Sequence, residues 1–150
     1  MELEVEKDKK GAPKPAGSSS SGLYKPEVAL EFFKSAGKPE KVAAGKPIFV
    51  ENEGKASIFS EGRRMYFLLN GEVELSVGKK TIGSVAKGEV FGEMALVTQL
   101  PRTATATAKS ESTVISLNEK QFQDALGKSP AFALMLMAII IGRLRETIAQ

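Results

Sequence analysis

The stretch from residue 41 to residue 117 alternates short β-prone runs with turn residues, and it restricts the fold more than any other feature of this chain. Residues 72–77 alternate polar and apolar side chains, as a strand with one buried face does. Asn70-Gly71 between two such runs predicts a hairpin turn, and Gly78-Lys79-Lys80 predicts a second turn. Roughly six to eight short strands with frequent turns indicate a mainly β domain, either a small barrel or a jelly roll.

Helical patterns flank the strand-rich region on both sides. Before it, Pro26 suits the first turn of a helix over residues 25–36. After it, Asn118 and Gln121 form a capping-box pattern, and Gly127 is expected to end that helix. A longer helix is predicted from residue 131 to residue 148. The predicted fold is therefore a small barrel or a jelly roll with one N-terminal helix and two C-terminal helices.

The last predicted helix carries an apolar seam whose members are spaced alternately by three and four residues. They are Leu134, Met137, Ile141, Leu144 and Ile148. Such spacing is typical of a coiled-coil contact, here about two heptads long. Other side chains in the first half of the helix are apolar too, so the helix needs cover on two sides. The barrel can cover one side, and either the chain's own core or a second copy in a homodimer can cover the other.

Composition narrows the classes of function. The chain has 150 residues, a length that favours one domain. It has no cysteine, which excludes disulfides and thiolate metal sites, and no histidine, which removes the commonest general base and metal ligand. The net charge is +3 without a dense block of Lys and Arg, so neither nucleic acid nor a membrane is expected as a partner.

The first 22 residues differ from the rest of the chain. Residues 1–10 alternate acidic and basic side chains, and residues 11–22 are mostly Pro, Gly, Ala and Ser. Such a stretch buries too little apolar surface to offset chain entropy, so a disordered extension is predicted, either a linker or a docking arm. The charged N-terminus lacks the pattern of a signal peptide, and a cytoplasmic protein is expected. Residues 23–150 form the predicted domain.

The chemistry of a binding site is concentrated in residues 91–96 and 101–105. Gly92 lets a backbone come close to a ligand, Glu93 can accept hydrogen bonds from a hydroxyl, and Arg102 can pair with a phosphate through two N–H groups. A short helical turn over residues 93–98 would add N–H groups that face an anion. One arginine suits the single charge of a phosphodiester, and the chain has no P-loop sequence for a triphosphate.

These two segments resemble the phosphate-binding cassette of the cyclic nucleotide-binding domain. That family includes the regulatory subunits of cAMP-dependent kinase, cGMP-dependent kinase, nucleotide-gated channels and bacterial catabolite activators. Residues 44–49 and 65–73 resemble the opening strands of the family, and the helices after Asn118 resemble its last two helices. The resemblance extends over residues 23–150 and implies a jelly-roll β-barrel with these flanking helices.

The resemblance implies a role for each site residue. Glu93 would bind the ribose 2′-hydroxyl, Arg102 would pair with the cyclic phosphate, and Thr103 would lie beside phosphate and base. Backbone groups would come from three neighbours in the cassette: Gly92, Met94 and Ala95. The pocket wall against ribose and base would be formed by Leu75, Ile82, Gly83 and Val90. Arg143 and Thr147 of the last helix are the candidates for a lid over the base.

The family also implies a receptor and not an enzyme, with cAMP as the first ligand and cGMP as the second. Threonine at position 103 is compatible with both nucleotides. No metal ion or other cofactor is expected. The ligand is expected to move the C-terminal helix and so to regulate a partner protein. Two alternatives stay open: a jelly-roll interaction domain that has lost its ligand, and a cupin-type enzyme, which the absence of histidine disfavours.

Overall fold

A computed structural model describes residues 24–52 and 63–149 of the chain. The predicted disordered extension over residues 1–22 lies outside the described residues. In chain order, the elements are helix α1 (Pro26–Ala36), strands β1 (Glu40–Val42), β2 (Pro47–Phe49), β3 (Arg64–Asn70), β4 (Val73–Val77), β5 (Lys80–Val85) and β6 (Val90–Phe91), helix α2 (Glu93–Thr98), strands β7 (Thr105–Ala108) and β8 (Ser112–Asn118), and helices α3 (Glu119–Lys128) and α4 (Pro130–Ala149).

The strands form two four-stranded antiparallel sheets. One has the order β1-β8-β3-β6 and the other the order β2-β7-β4-β5. Buried side chains from both sheets meet between them: Phe49, Leu68, Val73, Val85, Phe91, Ala106 and Val114. The jelly roll is therefore present, but as two facing sheets, since no strand pairing joins them within residues 24–52 and 63–149. A closed barrel is not formed there.

The hairpin predicted at Asn70-Gly71 is wrong, because β3 and β4 belong to different sheets. Gly71 has a φ of 102°, and a Cβ on it would lie 2.2 Å from the Oγ of Ser112. The glycine lets the chain pass tightly over Ser112 as it crosses from one sheet to the other. The turn predicted at residues 78–80 does close a hairpin, in which Val77 pairs with Lys80.

Three helices cover the outer face of the β1-β8-β3-β6 sheet. Phe33 of α1, Phe122 of α3 and Phe132 of α4 belong to one buried cluster with β3 and β8 side chains such as Met65 and Ile115. Burial of this kind stabilises a domain by roughly 1.5–3 kcal/mol for each large apolar side chain. The central strands β3 and β8 are thereby covered on both faces, and α4 is anchored to the sheet at its beginning.

The predicted capping box of α3 is confirmed, with hydrogen bonds of 2.8 Å in both directions between Asn118 and Gln121. The predicted end at Gly127 is wrong, because the helix runs through Gly127 to Lys128. Ser129 follows in extended conformation, and its N–H donates to the carbonyl of Ala125. Proline at the first position of α4 explains this stop, because the residue before a proline avoids the helical conformation.

The seam of α4 is exposed, although other side chains of the same helix are buried. Its five members are exposed: Leu134, Met137, Ile141, Leu144 and Ile148. The opposite face packs into the core through Phe132, Met135, Leu136 and Ile139. The chain's own described residues therefore cover only one of the two apolar sides of this helix.

The described part of the chain contains no single helix that is both long and apolar enough to cross a membrane. Helices α3 and α4 meet that test only as a pair, and the pair is bent by 114°.

Candidate ligand-binding site

The turn between β6 and α2 brings the backbone of Gly92 against the side chains of the site. Gly92 has a φ of 81°, and a Cβ on it would lie 3.1 Å from both Arg102 Nη1 and a ring carbon of Phe49. Only glycine adopts this conformation without strain and leaves room for those neighbours. Helix α2 then starts at Glu93, as the sequence predicts for residues 93–98.

Arg102 is a buried cation held by backbone carbonyls. Its Nη1 donates to the carbonyl of Gly92 and its Nη2 to that of Arg64, both at 2.7 Å. Its guanidinium carbon lies 3.9 Å from the centre of the Phe49 ring. These contacts fix the guanidinium at the beginning of β3 and beside the glycine turn. A positive charge held there can attract an anion without reordering a flexible side chain.

Glu93 is completely buried and pairs with an arginine from the last helix. Arg143 of α4 donates from Nη1 to Oε2 of Glu93 and from Nη2 to the carbonyl of Val90. The other carboxylate oxygen, Oε1, is buried and has no hydrogen-bond partner among the residues that the structure describes. A buried charged acceptor without a partner lowers the stability of the folded state by on the order of 1–3 kcal/mol or more. A ligand hydroxyl that donates to Oε1 would remove this cost.

A cavity of about 110 Å³ lies beside these groups. Seven of the predicted site residues line it: Leu75, Gly92, Met94, Ala95, Arg102, Thr103 and Arg143. Pockets that enclose small organic ligands usually measure roughly 300–1,000 Å³. The cavity is therefore too small in this conformation for a ligand of that size. Among the lining residues, Arg143 is the one that belongs to α4.

Four other predicted site residues are described but are not among the residues that line the cavity: Glu93, Ile82, Gly83 and Val90. Ile82 is 54% exposed, Gly83 is a buried strand partner of Leu75, and Val90 is buried in the helix-covered cluster. The side chain of Thr147 lies outside the described residues.

Four lining residues were missed by reasoning from the sequence: Phe49, Phe91, Pro101 and Ala104. Three of them lie within the two motif segments, so their position next to Gly92 and Arg102 in the sequence could have predicted them. Phe49 lies on β2, far away in the chain, and nothing in its local pattern indicates that its ring packs against Arg102.

A second buried carboxylate lies just before β6. Glu89 is 8% exposed, and its Oε1 accepts a hydrogen bond of 2.8 Å from the N–H of Ala86. Burial raises the pKa of Glu89 to about 7, although the Ala86 N–H and the positive charge of Arg143 act to lower it. The negative charge of Glu146 also raises the pKa of Glu89. Tyr24 donates to the carbonyl of Gly88 at 2.8 Å, and burial, followed by the charge of Glu89, raises the pKa of this phenol.

Comparison with known proteins assigns this chain to a family. The family model of the cyclic nucleotide-binding domain matches residues 39–129, more than half of the chain. The chain belongs to this family. The predicted resemblance is thereby confirmed, and the protein carries a cyclic nucleotide-binding domain of the kind found in regulatory proteins.

Similar proteins place the cyclic nucleotide-binding domain in larger chains. The cyclic AMP receptor protein of Thermus thermophilus is 29% identical over 125 residues, which cover 80% of this chain and 53% of that protein. A cyclic nucleotide-gated potassium channel of Mesorhizobium japonicum is 38% identical over 108 residues, which cover 72% of this chain and 28% of the channel. This chain thus spans about half, or less, of the length of these relatives.

A solved structure supports the fold of the cyclic nucleotide-binding domain. The crystal structure of the catabolite activator protein of Thermus thermophilus matches with a TM-score of 0.67 at 28% identity, and the match covers 86% of this chain and 59% of that one. The predicted jelly-roll class with flanking helices is therefore confirmed.

Proposed function

We propose that this domain is a receptor for a 3′,5′-cyclic mononucleotide and that its C-terminal helix reports the presence of the ligand to a regulated protein. The observation that carries the proposal is that a buried carboxylate, Glu93, and a buried cation, Arg102, both lie next to Gly92. Glu93 offers a buried acceptor oxygen without a partner among the described residues, and Arg102 supplies a fixed cation that lines the cavity. A cyclic nucleotide presents a ribose hydroxyl to the first group and a phosphate to the second.

The two charged groups have complementary roles in this proposal. The hydroxyl at C2′ of the ribose donates to Oε1 of Glu93 while Oε2 stays available to a cation. The phosphate oxygens accept from the guanidinium of Arg102, which binds them through parallel N–H groups. Leu75 and Phe49 supply apolar wall to the cavity. No proton transfer or bond cleavage is part of this mechanism, so the domain binds its ligand without altering it.

Arg143 supplies the connection between the ligand and α4. Its side chain lines the cavity of about 110 Å³, and its movement is the change that we assign to the entry of a cyclic nucleotide. Arg143 belongs to α4, and its displacement from Glu93 and Val90 removes two contacts that hold the helix in place. The ligand then favours an alternative arrangement of α4, which shifts the population. Coupling of this type is worth about 1–3 kcal/mol.

We take cAMP as the first ligand, because the relative from Thermus thermophilus is named a cyclic AMP receptor protein. Thr103 is exposed at the cavity and offers a hydroxyl to either adenine or guanine, so cGMP is the second candidate. The exposed seam of α4 is the surface that we assign to a second copy of the chain. Its alternating three-and-four spacing is self-complementary in a pair of helices.

Calorimetric titration with cAMP and cGMP tests the proposed function directly. Arg102→Ala should weaken cyclic nucleotide binding by roughly 2–5 kcal/mol, because it removes one partner of a buried charge pair. Arg145→Ala is the matched control, since Arg145 is an exposed arginine of α4. Circular dichroism should be recorded for each variant to check that it is folded. Equal affinity of wild type and Arg102→Ala, or no binding of either nucleotide to wild type, would overturn the assignment.

A further inference from the structure

Glu89 is a buried carboxylate that the proposed ligand contacts do not use. It lies in the turn between β5 and β6, where its carbonyl accepts from the N–H of Leu68 at 2.9 Å. The same turn is fastened to the beginning of α1, because the hydroxyl of Tyr24 donates to the carbonyl of Gly88. One residue further along, the carbonyl of Val90 accepts from Arg143. Glu89 is thus the residue before Val90, whose carbonyl makes one of the contacts that connect α4 to the site.

Three elements place charged or titratable groups around Glu89. Tyr24 lies just before α1, and the charge of Glu89 helps to raise the pKa of its phenol; Glu27, in the first turn of α1, acts on the same phenol. The turn itself contributes the N–H of Ala86. Helix α4 contributes two opposite charges, Arg143 and Glu146. Arg143 favours the charged form of Glu89, whereas burial and Glu146 favour the protonated form.

We propose that cyclic nucleotide binding to this domain takes up a proton at Glu89, because the ligand displaces Arg143 and leaves the buried carboxylate without its stabilising cation. This inference rests on the proposed function. The inference adds proton linkage to the proposed function. The position of α4 is coupled both to the nucleotide and to the protonation state of Glu89 in the β5–β6 turn. A decrease in pH therefore favours the arrangement of α4 that the nucleotide also favours.

The direction of the pH dependence follows from the position of Arg143. With Arg143 in place, the pKa of Glu89 is about 7, and moving the cation away raises it further. The bound state therefore holds more protons than the free state at neutral pH. Nucleotide affinity should be greatest below about pH 6 and should fall as the pH rises through 7. A change of about threefold to tenfold in affinity corresponds to a pKa difference of up to one unit.

The test is calorimetry with cAMP at pH 7 in two buffers of different ionisation enthalpy, which gives the number of protons taken up on binding. Wild type and the control Glu111→Gln, altered at an exposed loop position, should take up a fraction of a proton, at most about half. Glu89→Gln keeps an acceptor for the Ala86 N–H and should bind without proton uptake. Its affinity should be nearly independent of pH between 6 and 8. Equal proton uptake in wild type and Glu89→Gln would overturn the inference.

A measurement without nucleotide separates this inference from the proposed function. The carboxyl carbon of Glu89 can be titrated by NMR in wild type and in Arg143→Met. The variant should show a higher pKa for Glu89, because it lacks the cation that lowers it. An identical titration in the two proteins refutes the inference even if cAMP binds. If neither cAMP nor cGMP binds to wild type, the proposed function is refuted, and with it the proton uptake on binding, even if the two titrations differ.

Discussion

Replacing Arg143 by methionine should destabilise the folded protein strongly, because it leaves Glu93 buried without its cation. Glu93 is completely buried, and its Oε1 already lacks a partner among the described residues, so Oε2 would lose the contact that compensates its burial. Removing one partner of a buried ion pair typically costs about 3–5 kcal/mol. The side chain of Arg143 is 22% exposed, so water can reach the edge of the pair and reduce the loss. We therefore expect about 3 kcal/mol.

Urea denaturation at pH 7, followed by circular dichroism, measures this loss. A double-mutant cycle with Glu93→Gln isolates the pair, because a neutral amide removes the buried charge that the methionine would leave behind. The double variant should be more stable than the sum of the two single losses predicts, by about 2 kcal/mol. Arg145→Met, at an exposed position of the same helix, is the control and should change stability by no more than about 0.5 kcal/mol. Equal losses for Arg143→Met and Arg145→Met, or additive effects in the cycle, would show that the ion pair contributes nothing.

Two further predictions concern the sugar contact and the apolar seam. Glu93→Gln should reduce the preference for cAMP over 2′-deoxy-cAMP by roughly tenfold in calorimetric titrations, because a hydrogen bond to a charged acceptor is worth about 1.5–3 kcal/mol; an unaltered preference would mean that Glu93 does not bind the sugar. Joint replacement of Leu134 and Ile141 by glutamate should convert a wild-type dimer into a monomer in sedimentation velocity, whereas Val77→Glu on β4 should leave it dimeric. A monomeric wild type at about 100 μM would refute dimerisation through α4.

The order of the elements could be predicted because it depends on local patterns. Proline at the beginning of α1, the capping box of α3 and the alternation along β4 each act over a few residues. The glycine and the two charged residues of the site are also local, since Gly92, Glu93 and Arg102 lie within a dozen positions. Their residue types are therefore enough to indicate a site for a hydroxyl and a phosphate.

Predictions that depended on distant neighbours were less accurate. Asn70-Gly71 has the sequence of a hairpin turn, yet β3 pairs with β8 and β6, and the turn crosses between sheets. Gly127 looks like a helix end, but the chain stops the helix only where Pro130 requires an extended residue before it. At Asn70-Gly71 a local preference of less than a few kcal/mol was overruled by the packing of the two sheets, whereas at Gly127 it was overruled by a second local preference, that of the residue before a proline.

The sequence by itself determined the jelly-roll class and the chemical character of the site, because strand alternation and the spacing of Gly92, Glu93 and Arg102 are properties of short segments. Only the tertiary structure decided which groups face one another there. It brings Phe49 over Arg102 and brings Arg143 to Glu93 across 50 positions of sequence. It also buries Glu89, the residue before Val90. Such contacts form when α4 packs against the sheet, and the distance between two residues along the chain carries no information about them.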